Sequence, residues 1–559
     1  MPKGLRVDGH LVWVLPFQNN SAQHGVDWIG DSFPDILNQR LSSAGFLTIR
    51  REDRHYALQH LGLPADFRPT QATTYRLAQT LDADYVVFGN YTVAKGRITV
   101  AARVLVMNGP RMNAELKEQG NLNQLIDIED KLAWKLALQI DPSLNLDEQT
   151  FLVAGHALRL DAFENYIRGE VEPGVQERIG HLTKAVQLSP DYVQAWFALG
   201  KAYFSNQQYE EAVAPLSRVP RGSSLSLEAM FYAGLSHLYT GNYAKAQTEF
   251  ATIASVLPMP EVLNNEGIAI NRRGQNGTAF FQRVVQLNPQ NADYWFNLAV
   301  SERHSKSYDA ALKAVERSLA LRPQDREAQQ LKKNLLALKQ GSAATGAQTV
   351  ALNAKGSAAS SAAAYADSSD GTNATSPKKG SGATTASSAG DAPNAGAAAT
   401  SEYEPLERIA RGYDESSFRQ AAFEMEQMNT VKLRSMPPAA RAHLLCQQGN
   451  QYVNDGLLLE AERQFQRAIE ADPSSAAAHA GLAAVHEYAG SPKVAKREAE
   501  ASLKEKPNVA AYLVLARIAL SQHSYPDARK NVDQALRMDP NSSAAKGVLH
   551  ALETQQPRQ

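Results

Sequence analysis

Four prolines, Pro190, Pro258, Pro289 and Pro323, each close a similar run of helix-forming residues, and that recurrence limits the fold more than any other feature. The stretch WFALGKAYFSNQQYEEA sets the frame, with Trp196, Leu199, Gly200, Tyr203 and Ala212 at fixed offsets. Trp295, Leu298, Ala299 and Ala311 repeat it. Between them Gly234, Gly241, Tyr243, Ala246, Phe250 and Pro258 fall on the same register, and Gly267, Gly274, Ala279 and Pro289 mark a copy with a shortened inner turn. The pattern resumes at Gly449, Tyr452, Gly456, Ala461, Phe465, Ala468 and Pro473. Leu482, Ala483, Gly490, Ala495 and Pro507 make the next unit, and Tyr512, Leu515, Ala516, Tyr525, Ala528, Ala535 and Pro540 the last. Each unit reads as an apolar helix, a turn, a second apolar helix and a proline that cannot continue it. Helices this short are marginal alone in water, so neighbouring hairpins must supply one another's core. Small residues such as Gly200, Ala212 and Ala528 would let helices approach, and Trp196 and Tyr203 would fill the space between hairpins. On that reading Trp196→Ala costs about 3–5 kcal/mol, as for any large buried ring.

A chain of 559 residues is too long for one core, so several domains are expected. Net charge of −1 and a pI near 6.9 give no bias toward nucleic acid or an anionic membrane. The lone Cys446 excludes an internal disulfide and a cysteine-based zinc cluster. No apolar run reaches the roughly 20 residues of a membrane helix. The opening MPKGLRVDGHLVWVLPF carries a short, strand-like apolar stretch and no small-residue cleavage site, so no signal peptide is expected and the default compartment is the cytoplasm. Residues 341–400 are dominated by Ala, Ser, Gly and Thr, which cannot bury a core, and read as a disordered linker.

The first 145 residues differ from the rest. HLVWVLPF reads as a buried strand, DWIGDSFPDILNQRLSSAG as a helix with Ile29, Phe33, Ile36, Leu37 and Leu41 on one face, and FLTIRRED as a second strand. TTYRLAQTLDA is a helix. DYVVFGNYTVAKGRITVAARVLVMNGP gives two strands joined at Ala94 to Gly96, and a strand near MNAELKEQG leads into the helix LIDIEDKLAWKLALQI. Strands interleaved with helices make an α/β domain with a mixed sheet.

The repeat pattern resembles the tetratricopeptide repeat over roughly 158–340 and 442–552. Its first unit keeps HLTKAVQLSP, whereas FENYIRGE is followed by what reads as an insertion, VEPGVQERIG. The resemblance implies right-handed superhelical arrays that bind peptide segments or partner proteins in a concave groove. The family's groove positions fall on Phe197, Lys201, Phe204, Phe231, Leu235 and Tyr239, then on Asn264, Ile268, Asn271, Arg272, Phe296, Arg303 and His304. Aromatics offer rigid contact area, Asn pairs with an extended backbone and Arg takes carboxylates; the alternative is that several of the Phe side chains only pack between helices. In the C-terminal array the equivalent positions carry His443, Asn450, Ala480, Ala484, Leu513 and Arg517. The lysine that chaperone-binding members use to clamp a terminal carboxylate is replaced by Phe197, Phe231, Asn264, Phe296 or Cys446.

The N-terminal region resembles the TolB-like amino-terminal domain that bacteria fuse to repeat arrays, through VLPF, Gly30-Asp31, LAQTLDADYVVFGNY and RITVAARVLVMNGP. This resemblance implies interaction rather than catalysis, and a cell-envelope location if an export signal precedes Met1. No phosphate-binding glycine loop or metalloprotease motif occurs. His24, Asp27 and Asp31 could converge at the end of the first strand, though capping of the helix by Asp27 is the simpler reading. The chain is therefore expected to be multidomain: an α/β domain over 1–145, a repeat array over 146–340, the linker over 341–400, and a helical segment with three further repeats over 401–559. The function that follows is a non-enzymatic interaction scaffold gripping protein or peptide partners, without cofactor, metal, nucleic acid or membrane span. The alternative is a ligand or nucleotide sensor, or an enzyme, with its site in the α/β domain and the repeats as recruitment arms.

Overall fold

The computed structural model describes residues 10–340, 403–412 and 433–555, apart from 24, 52, 54–57, 59–70, 110, 154–157, 222, 224 and 434. The expected linker over 341–400 lies outside the described residues. The chain forms two compact units, one comprising Met1–Met259 with Gly412–Gln559 and the other Pro260–Arg411. Trp196 and Trp295, which share a repeat register, therefore belong to different units.

The first unit begins with a mixed sheet. Strand β1 (Leu11–Val14) runs parallel to β3 (Leu47–Ile49) and to β4 (Tyr85–Ala94), and the short β2 (Gln18–Asn19) also pairs with β4. β4 turns back antiparallel onto β5 (Arg97–Val106), which then pairs with β6 (Arg111–Met112) and β7 (Leu116–Asn121). The β4–β5 turn is two residues, Lys95 (φ 50°) and Gly96 (φ 74°), both left-handed, the geometry that matches strand twist in a tight hairpin. Alternation along β5 buries Ile98, Val100, Ala102 and Val104 fully. Helices α1 (Trp28–Ala44), α2 (Gln71–Thr80) and α3 (Leu125–Ile140) complete the domain. α1 buries the expected face of Ile29, Phe33, Ile36, Leu37 and Leu41 and ends on Gly45 at φ 104°. Gly30 is required by contact: a Cβ there would lie 2.5 Å from the Phe17 carbonyl oxygen. Asp27 does not cap α1 with its side chain; that carboxylate accepts from Asn19 Nδ2 at 2.8 Å instead.

Helical hairpins follow in the first unit: Leu160–Val171 with Val175–Leu188, Val193–Ser205 with Tyr209–Leu216, and Ser226–Tyr239 with Tyr243–Val256. The expected insertion in the first of these is mostly helix. Its second helix begins at Val175, because Pro173 and Gly174 confine the break to the turn, while VQERIG consists of residues a helix accepts. Gly200 and Gly234 sit where the facing helix is closest; an added Cβ would meet Leu216 at 2.5 Å and the Phe250 ring at 2.8 Å.

Three C-terminal hairpins belong to the same unit: Pro438–Asn454 with Leu458–Ala471, Ala476–Tyr488 with Pro492–Glu505, and Val509–Ser521 with Tyr525–Met538, closed by Ser543–Gln555. They dock on the α/β domain and the stretch that follows it, with Leu459 buried in the shared apolar core and polar contacts beside it. Arg463 Nη1 donates to the Ser43 carbonyl at 3.1 Å, the buried Glu462 accepts from the Asp147 amide at 2.8 Å, and Ser491 Oγ donates to Asp147 Oδ2 at 2.8 Å. Burial pushes the Glu462 carboxyl up to about 8. Nearby, Arg40 pairs with the fully buried Asp130 at 2.6 Å.

The second unit holds Pro260–Arg272 with Thr278–Leu287, Ala292–His304 with Tyr308–Leu321, and a helix over 326–340. Trp196 and Trp295 do not fill space deep between hairpins; both are half-buried. The Trp196 indole donates to the Pro190 carbonyl at 2.7 Å, and the Trp295 indole to that of Pro289 at 2.9 Å. Each ring lies back over the preceding turn because its nitrogen finds that carbonyl.

Candidate peptide-binding groove

Within the second unit, residues 403–411 of the same chain lie in non-helical conformation along the first helices of the hairpins. Two buried asparagines hold their backbone. Asn297 Nδ2 donates to the Arg408 carbonyl at 2.8 Å while its Oδ1 accepts the Arg408 amide at 2.7 Å. Asn265 does the same two residues on, donating to the Ala410 carbonyl and accepting its amide, both at 2.9 Å. In an extended chain alternate residues turn the same N–H and C=O edge outward, so two amides one repeat apart can engage residues 408 and 410. Asn264 adds a bond to the Arg408 carbonyl at 3.1 Å, and its Oδ1 accepts from Asn297 at 2.8 Å, which fixes both side-chain amides.

The side chains of the segment are held as firmly. Glu407, 6 % exposed, accepts from Asn271 Nδ2 at 3.1 Å and approaches Arg272 Nε at 3.4 Å. Arg408 forks onto Asp325 at 2.6 and 2.8 Å, reaches Asp293 at 2.7 Å and Glu327 at 2.9 Å, and stacks 3.8 Å above the Phe296 ring. Hydrogen bonding to Arg408 holds the Asp325 carboxyl below the usual range. Burial pushes the Asp293 carboxyl up, but the bonds from Arg322 and Arg408 outweigh it and the net shift is downward. At the other end of the segment Arg303 donates to the Tyr403 carbonyl at 2.9 Å and to Asn334 at 2.9 Å, and the Tyr403 hydroxyl donates to the Glu327 carbonyl at 3.2 Å.

Of the groove residues expected from sequence, Asn264, Asn271, Arg272, Phe296 and Arg303 thus converge on this segment. Ile268 is fully buried and His304 is exposed at the end of its helix. Asn265 and Asn297 were not singled out, although they share one register position in consecutive units, immediately after Asn264 and Phe296. Arg272 Nη2 also lies 3.5 Å from the Glu407 carbonyl oxygen.

In the first unit the equivalent positions engage one another. Phe231 and Leu235 are buried, and the Phe231 ring packs edge-on against Phe250 with centroids 5.8 Å apart. Phe204 meets Tyr232 at 5.2 Å, Tyr209 and Tyr239 stack at 4.3 Å, and the Lys201 ammonium sits 5.3 Å over Phe197. In the C-terminal array Arg517 is bound to Glu487 at 2.6 Å, and Ala480 and Leu513 are buried. His486 is buried and its imidazole is driven toward the neutral form by desolvation; burial likewise pushes up the Cys446 thiol, leaving it a poor nucleophile. In the α/β domain Asp31 faces Arg51 at 3.3 Å, and His24 lies outside the described residues. Among the described residues no helix is long and apolar enough to cross a membrane.

Residues 278–326 and 485–543 match one family model of the tetratricopeptide repeat, and 181–214 match a second. These stretches are tetratricopeptide repeats. Among solved structures the chain is similar to MamA (15 % identity, 26 % of this chain, 88 % of that one, TM-score 0.25). It is also similar to YrrB, a TPR protein with an unusual peptide-binding site (16 %, 36 % and 98 %, TM-score 0.29), and to the C-terminal domain of LpoB from Salmonella enterica (14 %, 20 % and 83 %, TM-score 0.17). These likenesses are too distant to carry a function across. No curated protein matches the chain in sequence.

Proposed function

We propose that this protein is a non-enzymatic interaction scaffold in which the tetratricopeptide repeats of Pro260–Arg411 hold an extended polypeptide segment. The observation that carries the reading is the pair Asn265 and Asn297, each closing two hydrogen bonds on the backbone of one residue, two apart. Asparagine amides buried without such a partner would be costly, so their placement makes sense for a groove that is filled by peptide. The α/β domain, whose strand–helix order suggests the TolB-like type, is on this reading a second interaction module.

Hydrogen exchange on the full-length chain tests it. The amides of Arg408 and Ala410 should exchange at least tenfold more slowly than expected for an unstructured peptide. Asn265→Ala combined with Asn297→Ala should abolish that protection while the helical circular dichroism stays unchanged. Free exchange at both amides in the unaltered chain would remove the groove from consideration.

A further inference from the structure

We infer that the groove's external partner is a protein presenting an extended segment in which a carboxylate residue directly precedes an arginine, and that 403–411 is a tethered competitor it must displace. This rests on the groove reading above and adds a ligand chemistry and a gate.

The asparagine contacts are blind to sequence, since any residue but proline offers the same N–H and C=O. Pro405 and Glu407 are buried and Arg408 half-buried, and discrimination by charge falls on the last two. Position 408 faces three carboxylates, Asp293, Asp325 and Glu327, with Arg322 as a neighbouring cation 2.8 Å from Asp293. A planar guanidinium can fork onto Asp325, reach Asp293 and Glu327 and still lie flat on Phe296; an ammonium offers neither the fork nor the plane. Position 407 meets the amide of Asn271 and the cation of Arg272, which suit a carboxylate. By contrast Leu406 is 70 % exposed, so the residue before the pair is unread.

The occupant belongs to the same chain as its groove, joined to the helix over 326–340 through residues 341–402. A covalently attached ligand competes at an effective concentration set by its connection and independent of how dilute the protein is. A free segment with the same contacts therefore meets a groove that is empty only a small fraction of the time, and its apparent affinity falls by that fraction.

A fluorescent peptide of residues 401–412, SEYEPLERIARG, titrated by anisotropy into the full-length chain, separates the parts of this claim. Arg408→Ala in the chain empties the groove and should tighten peptide binding at least tenfold relative to the unaltered chain. On that Arg408→Ala chain, a peptide with lysine at the arginine position should bind at least tenfold more weakly than the parent. Adding Asp325→Asn, which preserves the bond from the Ala328 amide to that side chain, should weaken the parent peptide to a similar extent. Equal affinity for the unaltered and Arg408→Ala chains overturns the competitor while leaving the groove reading intact. Equal binding of lysine and arginine peptides overturns the specificity. Binding to neither chain, with helical content retained, overturns the groove reading itself. A dimer that exchanges 403–411 between copies, seen by light scattering of the unaltered chain, overturns occupancy in cis.

Discussion

The hairpins from Val193 to Val256 and those from Pro260 to Leu321 share one frame, yet their inner faces differ in kind. At one register position the first set has Phe197 and Phe231, the second Asn264 and Phe296; at the next, Ala198 and Tyr232 give way to Asn265 and Asn297. In the aromatic set ring packs on ring, with Lys201 over Phe197. The asparagines bond partly to one another, Asn297 to Asn264 and Asn264 to Asn265, and partly to residues 403–411. A buried side-chain amide needs donors and acceptors at fixed geometry, and an extended backbone is the cheapest supplier of both. One position per repeat thus separates a face of packed rings from a face of amides bonded to residues 403–411.

The largest effect that would break this comparison is on the aromatic side. If Phe231 is scaffold, Phe231→Ala should destabilise its unit by about 3–5 kcal/mol, as for a phenylalanine removed from a closed core. Urea denaturation followed by circular dichroism would report it. A stable variant with altered partner recovery would mean instead that this face binds.

A smaller effect sharpens the polar side. Asp325 is held ionised chiefly by its hydrogen bonds from Arg408, and Asp293 has the same downward net shift against its own burial. Depressed carboxyls contribute stability that is present above their ordinary value of 3.8 and lost as pH falls through the lowered ones. Acid should therefore release 403–411, as the Asp325 and Asp293 carboxylates that hold Arg408 become protonated. Exchange protection at Arg408 should fall tenfold or more as pH is lowered below the ordinary carboxyl value of 3.8, ahead of the hairpin amides, since charge-assisted bonds are worth about 1.5–3 kcal/mol each. Loss of segment and hairpin protection at one common pH would count against a charge-held ligand.

The frame was legible because its determinants are local. Gly200, Gly234 and Gly449 occupy the closest helix approaches, and the Lys95–Gly96 turn takes the left-handed pair its hairpin demands. That Asn264, Asn271, Arg272, Phe296 and Arg303 share one inner helix face was legible because register fixes which face points inward; residues 403–411 meet them there. What that face holds was not. Glu407 and Arg408 lie more than a hundred residues from most of their partners, and no periodicity marks a nine-residue extended ligand. The docking of Glu462 and Ser491 on Asp147 was hidden for the same reason. Asn265 and Asn297 did leave a signal, the same amide at the same register in consecutive units.

The smallest effect concerns a feature common to both sets of hairpins. Trp196 and Trp295 fit the frame so well that deep burial is the natural expectation, yet each is half-buried and bonded to the carbonyl of the proline six residues earlier. Gln329 does the same to Pro323 at 2.8 Å without any ring, and His479 approaches the Pro473 carbonyl at 3.3 Å. The shared element is a donor at that spacing, satisfying the carbonyl of the turn proline that follows the helix cap. Trp295→Phe, which keeps a ring and loses the donor, should then cost about 1 kcal/mol. Trp295→Gln, which keeps the donor and loses the ring, should regain part of that loss in spite of its smaller apolar surface. Urea midpoints of the full-length variants decide between them. A Phe variant as stable as the parent beside a weaker Gln variant would return these tryptophans to simple packing.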